Sequence, residues 1–352
     1  MTMRLPSELE KLAREAIEKD ASDLFLLPGE PPAMRLHHVI QRTEADPLTA
    51  EAVRAMAEEA IGSENLRQIG PRLGRFRRWC GSPGEYNLSI CIARSHGDYT
   101  IALRIMPTRI FTVEEVKLPP AIVKAACSRH GLVVVSGPTG SGKTTAAYAL
   151  IDHINATVDG CHICTVEEPS HILITAKKAL VQQCEIGVDA PDALAGIQAA
   201  ADQDLDVLYV GEVNDVEVLQ ACISVAETGH LVITQMHAAA PEDAISRIVD
   251  AFPDAVRETS RRALARVLRG VSGQLLLKRA DGRGRVAAYG VIIPDEEMRQ
   301  AIAEGRDFMA RRSPWPEGCQ TIEEHMQRLL AEGLVAEEAV AAARGTLAAY
   351  RP

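Results

Sequence analysis

The stretch of the chain best equipped for chemistry is Gly137–Thr144, which reads GPTGSGKT. Its glycines let successive backbone amides converge on phosphate oxygens, and Lys143 can reach the β- and γ-phosphates of a nucleotide. The Thr144 hydroxyl is suited to binding Mg²⁺. The stretch follows an apolar, β-branched run and opens a helical pattern, which is the context that this chemistry requires. We predict that the following residues bind ATP, with Mg²⁺ beside it: Gly137, Pro138, Thr139, Gly140, Ser141, Gly142, Lys143, Thr144 and Thr145.

An acidic residue ends a second apolar stretch, LDVLYVGEV, which closes on Glu212 and Val213. If this stretch is a strand beside the phosphate loop, its terminal carboxylate can hold magnesium through water or deprotonate the attacking water. General-base action of this kind is worth a factor of roughly 10²–10⁴ in rate. We therefore predict Glu212 as the catalytic base and as a water-mediated magnesium ligand, together with the direct ligand Thr144.

Two further candidates come from neighbouring segments. Glu167 and Glu168 stand side by side in CTVEEPSHI, and adjacent strand residues point to opposite faces, so at most one of them faces the nucleotide. We take Glu168 as the second candidate base. His230 follows a glycine turn into a strand pattern, and from there its ring would approach the γ-phosphate; a lone histidine is also common as a hydrogen-bonded structural residue.

Composition narrows the class of protein. The 352 residues carry a formal net charge of −10, which argues against a protein that coats nucleic acid. The longest apolar runs fall short of the roughly 20 residues that span a bilayer, and the charged N-terminus is unlike a secretory signal. We expect a cytoplasmic protein. One CxxC, Cys161 and Cys164, lacks the second close pair that a structural zinc site would need, so we interpret these residues as reduced core cysteines.

The elements that must position these residues change in character along the chain. Residues 1–106 predict a small α+β domain, with a helix at 48–69 that begins at Thr49 and a hairpin that turns at His96 and Gly97. Residues 107–120, with prolines at both ends, predict a linker. Strand patterns at 132–136, 162–167, 207–210 and 231–235 alternate with helical ones, which predicts an α/β domain with a mainly parallel sheet over 121–294. Residues 295–352 predict a helical region.

Taken together, these segments resemble the secretion ATPase superfamily, and most closely the type IV pilus retraction ATPase (PilT) family. The resemblance covers nearly the whole chain. The segments that carry it are ASDLFLLPGEPPAMRL near the N-terminus, GPTGSGKTT, TVEEP, DLDVLYVGEV, AETGHLV with the following MH, and SRIVDAFP. A further segment, EEMRQAIAEGR at Glu296–Arg306, is a diverged form of one that the family associates with retraction. The resemblance implies a RecA-like P-loop domain preceded by a PAS-like N-terminal domain.

The resemblance also implies an activity. A homohexameric ring would bind ATP between the two domains of each chain, and hydrolysis would do work on a platform protein of the inner membrane. The work would be pilus retraction, as in twitching motility. The chain would then be cytoplasmic and peripheral at the inner membrane, without a nucleic-acid partner, and a second pilus ATPase is a further partner to consider.

The sequence departs from the family pattern at several charged positions. His171 stands where the family's acidic box has a further glutamate, Asn214 replaces an arginine, and Asp202 stands where an arginine is usual. Two arginines of the N-terminal hairpin are replaced, whereas Arg94 and Arg104 remain. The family comparison makes these two the candidate arginine fingers, whose contribution in such enzymes is roughly 10³–10⁵ in rate. These differences leave two alternatives open: a weakly active or non-hydrolysing accessory subunit of another pilus ATPase, or a related conjugation or secretion ATPase.

Overall fold

The structure is a computed structural model that describes Leu5 and residues 7–36, 39–69, 75–80, 87–106, 109–310 and 314–350. The chain divides into two compact units. The first is Met1–Arg109 with His171–Leu173, and the second is Ile110–Ser170 with Ile174–Pro352. The linker predicted at 107–120 begins with residues 107 and 108, which lie outside the described residues, and 109–119 form neither helix nor strand.

The first unit is an antiparallel sheet with three helices. Its strands lie in the order β3-β2-β1-β6-β5-β4. Leu9, Leu24, Met56, Ile90 and Leu103 are among the fully buried side chains that the helices and the sheet share. The elements are α1 (Ser7–Glu18), β1 (Asp23–Leu26), β2 (Ala33–Leu36), β3 (Val39–Arg42), α2 (Ala50–Ile61), α3 (Ser63–Gln68), β4 (Arg75–Cys80), β5 (Asn87–Ser95) and β6 (Asp98–Met106).

The hairpin prediction is confirmed, and the helix prediction for 48–69 is partly wrong. His96 and Gly97 both have positive φ (51° and 94°), the geometry of the tight turns that match strand twist. The side chain of Thr49 accepts a hydrogen bond from the Ala52 amide and caps α2 as expected. Gly62, however, has φ +82° and separates α2 from α3, because a residue in this conformation cannot continue a right-handed helix.

The second unit is a seven-stranded sheet in the order β13-β12-β7-β11-β10-β8-β9, with helices on both faces. All neighbouring pairs are parallel except β12 with β13, which confirms the predicted mainly parallel sheet. The elements are α4 (Pro120–Ala126), β7 (Gly131–Ser136), α5 (Lys143–Thr157), β8 (His162–Glu167), β9 (Leu180–Glu185), α6 (Ala193–Ala201), β10 (Val207–Glu212), α7 (Val216–Glu227), β11 (Leu231–Met236), α8 (Pro241–Ala251), α9 (Asp254–Val267), β12 (Leu268–Lys278), β13 (Arg285–Ile292), α10 (Glu296–Glu304), α11 (Ile322–Ala331) and α12 (Glu337–Tyr350).

The four strands predicted in this sheet are those with the most continuous apolar runs. Every residue of β7 and β11 is buried, since these strands lie at the centre with helices above and below. Three strands were missed. β9 is an edge strand that leaves Leu180 65% exposed, and β12 and β13 form an antiparallel pair whose glycine-containing sequences have no clear alternation.

The arginine-rich run at 257–269 is divided between a helix and a strand. Helix α9 ends at Val267 and β12 begins at the next residue, so Arg269 lies on a strand. Its Nε donates to the His130 carbonyl (3.0 Å) and its Nη1 to the Arg266 carbonyl (2.9 Å). The side chain therefore connects the last turn of α9 to the residue before β7.

Cys161 and Cys164 are buried free thiols of the second unit, in agreement with their interpretation as core cysteines. Burial raises the pKa of both thiols to about 11, so both are protonated at neutral pH. Within the described parts of the chain, none of the helices is long and apolar enough to cross a membrane.

Candidate functional site

The phosphate loop connects β7 to α5 at the carboxyl edge of the seven-stranded sheet. Gly140 (φ +76°) and Gly142 (φ +89°) adopt left-handed conformations, and Gly142 is the N-cap of α5. These two residues let the chain turn directly from the strand into the helix, so the first amides of α5 face the space above the loop. A helix N-terminus of this kind binds anions through its free N–H groups and its dipole.

Lys143 lies across the loop with each of its three ammonium protons in reach of an acceptor. Its Nζ is 2.8 Å from the Gly137 carbonyl, 3.2 Å from that of Pro138 and 3.4 Å from Nδ1 of His237. Burial lowers the pKa of Lys143, and the Glu212 carboxylate opposes this shift. The side chain is 6% exposed, so the cation is fixed in place before any phosphate arrives.

Glu212 ends β10 beside the loop, as the sequence predicted for this strand end. A register shift of β10 against β11 between Val210 and Glu212 forms a bulge, which changes the direction of the strand at its last residue. The Glu212 Oε2 is 2.8 Å from Nε2 of His237, and its Oε1 accepts a hydrogen bond from Asn214 at 2.7 Å. The Asn214 side chain, where the family has an arginine, therefore contacts the predicted base itself.

His237 is a site residue that the sequence analysis missed. It directly follows β11, and its ring lies between Lys143 and Glu212. If Nδ1 accepts from the lysine, Nε2 must carry the proton that it shares with the glutamate, which is the neutral form of the ring. The signal that could have found it is position: His237 follows the carboxyl end of a strand at the same sheet edge as the loop.

His230, the histidine that we predicted, lies at the other edge of the sheet. β7 and β11 pair from Gly131 with Leu231 to Ser136 with Met236, so His230 precedes the strand and the loop follows it. Six strand residues, or about 20 Å, separate the two edges. The His230 Nδ1 contacts the Thr228 hydroxyl (3.1 Å) and the Val225 carbonyl (3.2 Å). The expectation that His230 reaches the γ-phosphate on this chain's own loop is wrong, and its contacts are those of a structural residue.

The two histidines give a matched pair of variants. We expect His237→Ala to lower the ATPase rate by about 10- to 100-fold, because hydrogen bonds to charged groups are worth about 1.5–3 kcal/mol each. His230→Ala should leave the rate within about twofold of the wild type. Steady-state ATP hydrolysis of both variants at saturating ATP checks this, and a larger loss for His230→Ala would reverse the assignment.

The adjacent glutamates of β8 differ sharply in environment. Glu167 is 2% exposed and accepts a hydrogen bond from the Tyr148 hydroxyl at 2.7 Å, and burial raises the pKa of its carboxyl to about 7. Glu168 follows the strand end and is exposed. Glu167 is therefore turned toward α5, and a role of Glu168 as base stays a prediction.

Arg94 and Arg104 lie on the hairpin of the first unit, on β5 and β6. The Arg94 guanidinium donates to the Gly97 carbonyl (2.5 Å) and lies 5.2 Å from the centre of the Tyr99 ring. The Arg104 Nε donates to Asp23 at 3.1 Å, and its side chain is 62% exposed. These contacts are within their own unit, and a role toward nucleotide remains a prediction.

A cavity of about 620 Å³ adjoins the phosphate loop within the second unit. Its walls are the loop at 138–141, the end of β12 with the following turn at 275–280, and one face of α12. The α12 face contributes mainly alanines, so the walls are largely apolar. Arg285, at the start of β13, also contacts the loop, with its Nη1 3.5 Å from the Gly140 carbonyl. The space is suited to an apolar ring system whose phosphates lie on the loop.

Comparison with known proteins shows that the sequence is similar to secretion and pilus proteins. Residues 3–343 match the family described as Type II/IV secretion system protein. The sequence is 32% identical over 323 residues to a twitching motility protein of Neisseria gonorrhoeae, covering 88% of this chain and 83% of that protein. It is 30% identical over 334 residues to the type IV pilus retraction ATPase PilT of Pseudomonas aeruginosa, covering 94% and 96%.

Among solved structures, the chain resembles the crystal structure of the pilus retraction motor PilT with bound ADP. The TM-score is 0.83 at 32% sequence identity, and the match covers 95% of this chain and 96% of the other. The resemblance inferred from the sequence motifs and the predicted α/β fold class are both confirmed by this likeness.

Proposed function

The chain belongs to the type II/IV secretion system protein family, among the pilus retraction ATPases, and from that membership we propose a homohexameric motor that retracts a type IV pilus. It is a P-loop ATPase. The observation that carries the proposal is the contact series at the carboxyl edge of the sheet, where His237 lies between Lys143 and Glu212. These contacts support the proposal that Lys143 binds phosphate and that Glu212 is the base of the same site.

ATP is proposed to bind with its phosphates on 137–145. In this arrangement the amides at the start of α5 and the Lys143 ammonium would hold the phosphate oxygens. The adenosine would occupy the cavity between the loop and α12, which lies within the second unit, whereas the family resemblance alone implied a site between the two domains. Glu212 would accept the proton of the attacking water, and its contacts with His237 and Asn214 would fix the direction of its carboxylate. Glu168 is the second candidate for this role.

Magnesium fits the oxygen donors at this site. The Thr144 hydroxyl would bind the ion directly and Glu212 through water, and such hard oxygen donors are the ligands that Mg²⁺ prefers. When bound, the ion would supply charge neutralisation of the β- and γ-phosphates. The protein's part is to hold the two oxygen donors at the start of α5 and at the end of β10.

The proposal of retraction draws on the segment Glu296–Arg306, which resembles one associated with retraction in the family. In this chain the segment forms α10 and ends at Gly305 with φ +68°. Arg299 donates to the carbonyls of Ala265 (2.9 Å) and Leu268 (2.6 Å). The segment is therefore attached to the end of α9 by a half-buried cation. We propose that the ring works on a platform protein of the inner membrane, from the cytoplasmic side.

The shared site of a ring gives a direct test of Arg104. If Arg104 acts on the nucleotide of a neighbouring subunit, then Arg104→Ala and Lys143→Ala chains should each be inactive alone and partly active when mixed. In a mixture some interfaces combine an intact loop with an intact arginine, so up to about a quarter of the wild-type rate is expected. ATPase assays of mixed and separate chains, with the ring verified by light scattering, measure this.

Arg35→Ala is the matched control for that mixture. Arg35 contacts the same carboxylate as Arg104, with its Nε 3.5 Å from Asp23. It should leave the rate near that of the wild type. A mixture as inactive as its components, or an equal loss in Arg35→Ala, would contradict a role for Arg104 in trans.

A second candidate function is that of a weakly hydrolysing accessory subunit. It is favoured by one observation, the contact of Asn214 with Glu212, because an uncharged amide stands where the family has a guanidinium. Twitching cells decide between the two. Cells that lack this chain are complemented with the wild type or with Glu212→Gln, and pilus retraction is measured. If only the wild type restores retraction, hydrolysis by this chain is required. If both restore retraction, the chain is an accessory subunit.

A further inference from the structure

Gln235 is a buried polar residue of β11 to which the site described above gives no role. Its side chain is 4% exposed, and its Oε1 accepts a hydrogen bond from the Thr144 hydroxyl at 3.2 Å. Its Nε2 donates to the hydroxyl of Tyr209 on the neighbouring strand. The amide therefore connects the proposed magnesium ligand to a fully buried phenol.

The direction of the contact with Thr144 matters for metal binding. A threonine hydroxyl has one proton and two lone pairs, and a cation can use only the lone pairs. With the Gln235 Oε1 as acceptor, the Thr144 hydroxyl uses its proton in this contact and keeps both lone pairs available to a cation. An amide turned the other way would donate to the same oxygen and occupy a lone pair.

Tyr209 supplies the acceptor for the other end of the Gln235 amide. The Tyr209 side chain is fully buried, and burial raises the pKa of its phenol well above the usual value, so it is a neutral hydroxyl at all physiological pH. Its ring packs edge-on against that of Tyr148, with centroids 5.9 Å apart. A fixed oxygen at this point gives the Gln235 NH₂ group an acceptor on the side away from Thr144.

We infer that Gln235 is a positioning residue for magnesium: it accepts the Thr144 proton and so presents the hydroxyl's lone pairs to the cation of a bound nucleotide. The inference rests on the proposed nucleotide site. It assigns Gln235 an effect on the metal-dependent part of nucleotide affinity alone, because its side-chain hydrogen bonds go to Thr144 and Tyr209, away from the loop amides and Lys143.

The test is a binding measurement on the full chain with a fluorescent ATP analogue. Its Kd is measured once with EDTA and once with saturating Mg²⁺. The Kd in EDTA divided by the Kd in Mg²⁺ reports how much the metal contributes to affinity. Gln235→Met removes the acceptor at nearly constant size. It should lower the ratio about fivefold, the equivalent of one hydrogen bond of about 1 kcal/mol, and leave the Kd in EDTA unchanged.

A double-mutant cycle separates positioning from a general packing defect. Thr144→Val removes the hydroxyl, so Gln235→Met should have no further effect on the ratio in that background. An unchanged ratio in Gln235→Met, the same fivefold fall in the Thr144→Val background, or an equal loss of affinity with and without Mg²⁺ would each overturn the inference.

Gln235→Glu and Tyr148→Phe complete the set. Both oxygens of a carboxylate accept, so Gln235→Glu should keep the ratio at or above that of the wild type; a fall to the Gln235→Met value would overturn the inference. This variant decides alone if Gln235→Met does not fold.

Tyr148→Phe removes a buried hydroxyl that donates to Glu167 and should leave the ratio unchanged. A wild-type chain that binds the analogue in neither condition would instead refute the nucleotide site, and the inference with it.

Discussion

Lys143→Ala is expected to lower nucleotide affinity by about 10²–10⁴-fold. The ammonium would make charge-assisted hydrogen bonds to two phosphates, each worth about 1.5–3 kcal/mol. It is also held in advance by the Gly137 and Pro138 carbonyls, so its loss leaves the loop without its central cation. Fluorescence titration with a labelled, non-hydrolysable ATP analogue measures the change.

Lys177→Ala is the control for that variant. Lys177 forms an ion pair with Asp152 of α5 at 2.7 Å, on the outer surface of the same helix that Lys143 begins. It removes an equal charge beside that helix and should leave affinity within about twofold. Similar losses in both variants would point to a general effect on α5, and unchanged affinity in Lys143→Ala would move the phosphate site elsewhere.

Glu212→Gln is expected to preserve nucleotide binding and to lower the maximal ATPase rate by about 10²–10⁴-fold, the usual contribution of a general base. The amide keeps the size of the side chain but cannot take up a proton. One of its ends also presents a donor to His237 or to Asn214, both of which donate to the carboxylate in the wild type if His237 is neutral as inferred. Single-turnover hydrolysis with binding measured in parallel separates the two effects.

Two further carboxylate variants help to interpret the rate of Glu212→Gln. Glu217→Gln, in the first turn of α7, removes a charge five residues away and should have the wild-type rate. Glu168→Gln tests the other candidate base. If the rate falls in Glu168→Gln and survives in Glu212→Gln, the base is Glu168 and the contacts of Glu212 are structural.

How much of the structure could be predicted from the sequence depends on which features are determined by residues close together in the chain. The phosphate loop was predictable because its glycines, lysine and threonine are consecutive and their conformations are set within the segment. The central strands were predictable because burial on both faces demands continuous apolar residues. β12 and β13 were missed although they pair with each other across a short connection, because their glycines disguise the strand pattern.

The candidate site shows the same limit. Glu212 follows from its place at the end of a strand, but the choice between His230 and His237 depends on strand direction and register. Those two residues are seven positions apart, and only the parallel pairing of β7 with β11 shows which of them shares an edge with the loop. Gln235 could not be predicted at all, because its role depends on contacts with side chains from two other elements.

The junction between α9 and β12 contains no connecting residue. Gln274 of β12 donates to the Ser141 carbonyl of the phosphate loop at 2.8 Å, and Arg299 attaches α10 to the same junction. Because the helix and the strand adjoin directly, no loop lies between them. A displacement of the loop that reaches β12 through Gln274 would therefore be passed to α9 and α10 without an intervening loop to absorb it.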